Sequence, residues 1–446
     1  MARSAITACV PPQCPGARDT YLALLARPQA PLVREMADAL LLQQLEAAEQ
    51  LPCELPAELD SWLEWSRGNA RRTASHYAEY LAARRRGEPR RYFGCRAHAL
   101  YFLRQVAPTK LVDGAWLYGA LRYWQDFRLQ PLVRTYLEEL GEGDAALNHV
   151  RLYRSLLDRH ECLDGHSDDD RDYLQGALQL CLGNRIERFL PELIGYNLGY
   201  EQLPLHLLIS AYELEELGID PWYFRVHVTI DNVSTGHAYK AIQAAILNCP
   251  AERRARDEYL RRLSTGYRLN ELGTNSLEVI ARFDLEQELL RILRAKRVFG
   301  LGLHSDRCRI AGRTVNQWLA GDDRVEELLG VLETQGWIRR NDDPRQSRFW
   351  RLLEGDHAAM LGVFSRYERE VLHDWIAGAW QSGSRPPCSR VSGESGEDAQ
   401  VQALRDELQQ LSPEAGMARL VAWMAPACHD TPAGLYATRE FVRRFA

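Results

Sequence analysis

The chain has 446 residues, 46% of them hydrophobic, 26% charged and 9% aromatic, with a formal net charge of −6. That apolar content fills a large core and excludes intrinsic disorder, a collagen-like fibre and a small disulfide scaffold. No run approaches the roughly 20 apolar residues of a membrane span. A pI near 6.1 argues against a general nucleic-acid binder, which offsets phosphates with a basic surface.

The opening MARSAITACVPPQCPG lacks the apolar stretch of a secretory signal. Ten cysteines occur without a Cys-x-x-Cys pair, which suits neither a disulfide framework nor a zinc site. The reading is a reduced, cytoplasmic protein. Residues 1–69 form an N-terminal extension, partly helical, with a helix over 33–50 and a turn at Pro52 and Pro56. The basic run Arg84, Arg85, Arg86, Arg90 and Arg91 reads as a solvated helix end and turn.

Residues 70–300 hold the densest helical text, with apolar spacings of three and four over 97–106, 112–126, 147–157, 171–182 and 203–217. There is no βαβ rhythm and no Gly-rich phosphate loop, which excludes Rossmann and P-loop enzymes. The expected fold class is all-α. Residues 301–381 read as a small, mostly helical C-terminal module. Its helix over 325–335 is followed by Gly336-Trp337-Ile338, a polar turn and Ser347-Arg348-Phe349-Trp350, an order like that of a small winged helix. Residues 382–398 read as a linker and 399–446 as closing helices.

Nucleophile motifs are missing: there is no Gly-x-Ser-x-Gly and no His-Glu-x-x-His. Two Glu-x-x-His matches, Glu354/His357 and Glu370/His373, lie too close together to sit on two facing helices. Three other segments carry a better constellation. In EELGEGDAALNHVRLY, Glu139 and His149 stand about 15 Å apart on a straight helix, but Gly141 and Gly143 permit a kink that turns both inward. In PELIGYNLGYEQLPLHLL, Glu201 follows an aromatic and apolar helix, where a buried carboxylate needs a partner or a metal. In HVTIDNVSTGHA, His227 and Asp231 share a helix face, Ser234 continues it, and His237 follows Gly236. Oxygen and nitrogen ligands of this kind suit iron or manganese. Each residue also has a plain structural reading, such as a surface carboxylate for Glu139 or an i,i+4 pair for His227 and Asp231, and spacing alone does not choose.

The segments APTKLVDGAWLYG, EELGEGD…NHVRLY, IGYNLGYEQLPLHLLISAYELEELGIDPWYF and HVTIDNVSTGHA resemble the haem-oxygenase-like diiron oxidases and oxygenases, and more narrowly the iron-containing redox enzymes among them. The resemblance spans about residues 70–300. It implies a haem-oxygenase-like helical bundle that binds no haem, two Fe(II) per chain and O2 as co-substrate. The metal ligands it implies are Glu139, His149, Glu201, His227, Asp231 and His237. Ser234 stands where the last histidine of the pattern is expected, so His237 takes that role in this reading.

The implied activity is oxidation of a small amino-acid-derived or carboxylate substrate, by N-hydroxylation, oxidative C–C cleavage or decarboxylation, in natural-product biosynthesis. Asp113 is a candidate acceptor behind the metal, with Trp116, Tyr196, Tyr200 and Tyr223 around it and Lys110 and Arg225 as carboxylate binders. The expected partner is a small molecule, with no membrane and no nucleic acid, and a homodimer as the oligomer. Two other classes remain open: a metal-sensing or DNA-binding regulator using the C-terminal module, and a scaffold without chemistry.

Overall fold

The computed structural model describes residues 15–163, 167, 169–230, 236–354, 360, 362–380 and 398–445. The fold is all-α, a haem-oxygenase-like bundle with additions at both ends; the strands among the described residues are one short hairpin. The N-terminal helices are α1 (Ala17–Ala26), α2 (Pro31–Glu49) and α3 (Trp62–Arg85), followed by α4 (Arg96–Gln105) and α5 (Ala107–Lys110). Residues Ala115–Tyr123 wind as a 3-10 helix where the apolar spacing predicts an α-helix. Gly114, at φ +80°, interrupts the register just before it, and the run presses its buried face onto the next long helix but two.

The site-bearing helices come next: α6 (Gln130–Glu139), α7 (His149–Arg159), α8 (Asp170–Asn184), α9 (Ile186–Tyr200), α10 (Leu205–Glu216), α11 (Trp222–Ile230), α12 (His237–Leu247) and α13 (Arg253–Arg268). Side-chain caps fix several starts. Asn148 accepts from the Arg151 amide at 2.9 Å at the head of α7, and Asp169 from the Arg171 amide at 3.0 Å at the head of α8, each replacing a backbone partner that the first turn lacks. Helices α14 (Ser276–Ala281) and α15 (Leu285–Gly300) close this part.

The packing of α9 on α13 depends on two glycines. A Cβ at Gly195 would collide with the Leu263 carbonyl oxygen, and one at Gly266 with that of Glu192. Backbone therefore meets backbone, and the flanking Ile194 and Leu263 are fully buried, each contributing about 1.5–3 kcal/mol of transfer free energy.

Beyond α15 lie β1 (Arg309–Ile310) and β2 (Arg313–Thr314), paired antiparallel, then α16 (Val315–Trp318), α17 (Arg324–Thr334), α18 (Trp350–Leu353) and α19 (Arg366–Ala377). The winged-helix order is not what forms. The hairpin precedes the long helix instead of following it, and Trp350, expected in a strand, begins α18. The aromatic residues here serve packing: Trp350 is buried in the core that also holds Tyr367 and Trp375. The expected linker falls outside the described residues except Asp398, which caps α20 (Ala399–Gln410). Helices α21 (Pro413–Trp423) and α22 (Pro432–Phe445) end the chain.

Two hydrophobic cores organise these elements. One joins α1, α2, the 3-10 run, α6, α8, α9, α12 and α13 with α20, α21 and α22. The other joins α4, α7, α10, α11, α14 and α15 with α17, α18 and α19. The C-terminal helices thus share a core with the N-terminal ones, and the Tyr136 hydroxyl of α6 donates to the Met424 carbonyl at 2.7 Å. The helices that carry the buried polar site come from both cores, α6, α9 and α12 from the first and α7 and α11 from the second. Among the described residues no helix is long and apolar enough to cross a membrane.

Candidate metal centre

Helix α6 ends at Glu139, and the chain reverses through Gly141, Glu142 and Gly143, at φ +61°, +50° and +88°, before α7 starts at His149. This left-handed turn is open to glycine and costs other residues about 1–2 kcal/mol. It folds His149 back onto Glu139, placing His149 Nδ1 2.5 Å from Glu139 Oε2. The second oxygen of the same carboxylate, Oε1, lies 3.2 Å from His237 Nδ1 at the first turn of α12. Glu201 ends α9 and brings Oε2 to 3.2 Å from that same nitrogen. His227, on α11, closes the other side, its ring 4.3 Å from that of His149.

Two groups of ligand-type atoms result, each gathered within 4.8 Å: Asp113, Glu139, His149 and His227 in one, and Glu139, Glu201 and His237 in the other. All are buried, and Glu139 belongs to both. The structure thus brings together Glu139, His149, Glu201, His227 and His237. Asp231 and Ser234 lie outside the described residues. Asp113 joins the first group directly, beyond the supporting role its sequence context suggests.

Hydrogen bonding around the histidines fixes which nitrogen can hold a metal. His227 Nδ1 lies 2.8 Å from the Tyr223 carbonyl, which can only accept, so Nδ1 donates and Nε2 is the nitrogen left for a metal. Nε2 faces Asp113 Oδ2 at 3.1 Å, and with no metal there a proton on it makes the ring a charged donor to that carboxylate. His237 repeats the logic from the other ring atom. Nε2 donates to Glu138 Oε2 at 2.8 Å, leaving Nδ1 toward the Glu139 and Glu201 carboxylates. Lone pair against carboxylate is repulsive unless a proton or a cation lies between.

The surroundings keep these carboxylates ionised. Burial pushes Glu139 up, but His149 and His237 outweigh it and hold the carboxyl well below its usual range. Burial also pushes Asp113 up, yet the Lys110 ammonium and the His227 hydrogen bond and charge bring it down to about 2. Asp113 further accepts from the Tyr200 hydroxyl at 2.9 Å and the Tyr223 hydroxyl at 2.5 Å. These bonds fix its orientation and stabilise its anionic form.

The test of fit for a metal is the state of His149 and Glu139. Both ring nitrogens of His149 and Glu139 Oε2 are buried without a hydrogen bond of acceptable geometry, although two of these atoms are 2.5 Å apart. A buried polar atom left this way costs about 1–3 kcal/mol. Atoms that converge without bonding to one another fit the arrangement a shared ion needs. A carboxylate and imidazole set with no thiolate suits iron.

Residues 100–271 match the family model described as iron-containing redox enzyme. That stretch, well under half of the chain, is similar to the iron-containing redox enzymes. No curated protein and no solved structure matches the chain. The matched stretch contains every described residue of both ligand groups.

A cavity of about 250 Å³ reaches these buried residues. Glu139, Glu201 and His227 line it together with Lys110, Gln105, Thr109, His206 and Gln202. The Lys110 ammonium donates to the Tyr200 hydroxyl at 3.1 Å and lies over the Tyr200 and Tyr223 rings. Burial and Lys110 push His206 down to about 4, so its ring is neutral. Arg225, expected beside Lys110, is elsewhere: it is half exposed and ion-paired with Glu215. Trp116 is a core residue whose indole N–H donates to Asn197 at 2.9 Å, and the Tyr196 hydroxyl donates to Gln175 at 2.9 Å.

Sequence reasoning missed Glu138. The signal was present: His237 and Lys240 are three apart, on one face of α12, and one carboxylate can serve both. Glu138 does so, ion-paired with Lys240 while accepting from His237.

Proposed function

We propose that the chain is a non-haem diiron oxygenase or oxidase that uses O2 to oxidise a small amino-acid-derived or carboxylate substrate. The observation that carries this reading is Glu139, one buried carboxylate whose two oxygens approach histidines of two separate ligand groups. A shared carboxylate is what two adjacent ions require. His149, His227 and Asp113 would hold one iron and Glu201 and His237 the other, with Glu139 between them. Asp231 is proposed as a further ligand from the sequence. Fe(II) in such a site, when bound, supplies the electrons that activate O2.

The chain's own residues account for the rest. Lys110 spends one of its three N–H donors on Tyr200, and the others suit a substrate carboxylate. Tyr200 and Tyr223 tie Lys110 to Asp113, so the cation and the metal ligand keep a fixed relation. The apolar wall residues Val106, Leu207 and Val279 keep water away from the reacting end. N-hydroxylation, C–C cleavage and decarboxylation begin from the same arrangement, and a role in natural-product biosynthesis belongs to this proposal through the resemblance.

The test is anaerobic loading with Fe(II), then mixing with O2 while oxygen consumption is followed with and without a panel of amino acids. The reading expects iron-dependent consumption that one class of amino acid accelerates. Bound iron with no oxygen uptake under any addition overturns it.

A further inference from the structure

The cavity lining holds a second polar feature. Asp172, in the first turn of α8, lines the cavity with a side chain 2% exposed. Its Oδ1 accepts from Arg282 Nη2 at 2.7 Å, while its Oδ2 is buried without a hydrogen-bond partner. Arg282 also reaches Asp169 Oδ2 at 3.4 Å, so two carboxylates share one guanidinium and the group keeps an excess negative charge. The Thr274 hydroxyl oxygen, on the loop that ties to the Arg171 carbonyl, is likewise buried without a partner and lines the same cavity.

A buried carboxylate oxygen and a buried hydroxyl, each without a partner, are costly unless a donor enters the cavity they line. A donor bearing positive charge offsets it best, because a charge-assisted hydrogen bond is the stronger kind. We propose that Asp172 Oδ2 and Thr274 Oγ1 form a subsite for the ammonium group of the substrate, in the cavity where Lys110 takes its carboxylate. Val106, Leu207 and Val279 would cover a short aliphatic chain between the two charges. The inference rests on the oxygenase reading of the cavity and adds the residues that select an amine-bearing substrate over a plain acid.

The experiment compares 4-aminobutanoate, 5-aminopentanoate and 6-aminohexanoate with butanoate, pentanoate and hexanoate. Binding to the full-length protein is measured by calorimetry under argon, metal-free and loaded with Fe(II), with iron content determined on the same samples. At least one amino acid binds about tenfold or more tighter than its parent acid, a difference of about 1.4 kcal/mol. Asp172→Asn abolishes that preference while leaving the affinity for the parent acid and the iron content unchanged. Thr274→Val reduces the preference about threefold, and it decides the matter if Asp172→Asn fails to fold. The subsite is overturned if no amino acid is preferred by the wild-type protein, or if the preference survives in the folded variants. Iron content separates the two failures: a loaded protein without amine preference loses only the subsite, whereas a protein that takes up no iron loses the oxygenase reading.

Discussion

His149 Nδ1 lies 2.5 Å from Glu139 Oε2, although the two positions would stand about 15 Å apart along a straight helix. The turn through Gly141, Glu142 and Gly143 converts sequence neighbours on one helix into facing side chains on two. Because Glu139 also approaches His237, the turn positions the residue common to both ligand groups.

Replacing Glu139 therefore affects both groups at once. Glu139→Gln keeps the shape, but its amide nitrogen donates where a ligand oxygen is needed. Iron uptake falls to near zero, whereas Glu201→Gln, which touches one group, leaves part of the iron bound. Metal analysis after anaerobic loading and desalting checks this. Equal, partial losses in the two variants would speak against a shared carboxylate.

The turn itself is testable. A Cβ at Gly141 would lie 2.5 Å from the Leu147 carbonyl carbon and 2.6 Å from the Asn148 nitrogen, at a φ of +61°. Gly141→Ala costs about 2 kcal/mol or more and lowers iron affinity by displacing α7 from α6. Chemical unfolding together with iron titration measures both. Unchanged stability would mean that the turn does not hold the conformation described.

Glu138 stands on the ring nitrogen of His237 that faces away from Glu139 and Glu201. It accepts from His237 Nε2 and is held by Lys240, which leaves His237 Nδ1 as the nitrogen for the metal. Glu138→Gln is expected to weaken iron binding by about 10–100-fold, the usual range for a group that fixes a ligand histidine. Lys240→Met has a smaller effect in the same direction. Competition with a coloured Fe(II) chelator reads both constants. An unaltered affinity in Glu138→Gln would remove it from the centre.

A buried histidine away from the centre predicts the acid limb of stability. Burial, with the guanidinium groups of Arg96, Arg159 and Arg366, holds His160 at about 3 against an ordinary 6.5. The folded protein keeps it neutral while the unfolded chain takes a proton below pH 6.5. Unfolding binds a proton in the window from 6.5 down to about 3, and stability is lost as pH falls through it, by about 1.4 kcal/mol per pH unit. Between pH 7 and pH 5 the wild-type protein loses about 2 kcal/mol more than His160→Gln. Urea unfolding at the two pH values gives the difference, and parallel losses would contradict it.

Much of this was legible in the sequence because the signals were local. Helical spacing placed α2, α4, α7, α8, α10 and α17 within a few residues of their observed limits, and the two glycines after Glu139 announced the turn. The 3-10 run at Ala115–Tyr123 was not legible, since apolar spacing does not distinguish it from an α-helix and its tight contact with α8 is tertiary. The same holds for the hairpin at 309–314, too short for any alternation. Asp113 was read as a supporting acceptor because nothing local shows that Tyr200, Tyr223 and His227 converge on it. Arg225 failed as a carboxylate binder for a similar reason: its helix turns it toward Glu215, and the sequence does not say which face of α11 meets the cavity.

The central claim is that two ions share Glu139. The most direct measurement is an anaerobic Fe(II) titration of the full-length protein, followed by Mössbauer spectroscopy of the loaded sample with 57Fe. The account predicts uptake that saturates at one iron for each of the two ligand groups, with magnetic coupling between the irons after oxidation and loss of both in Glu139→Gln. Saturation at a single uncoupled iron, or full uptake in Glu139→Gln, would contradict it.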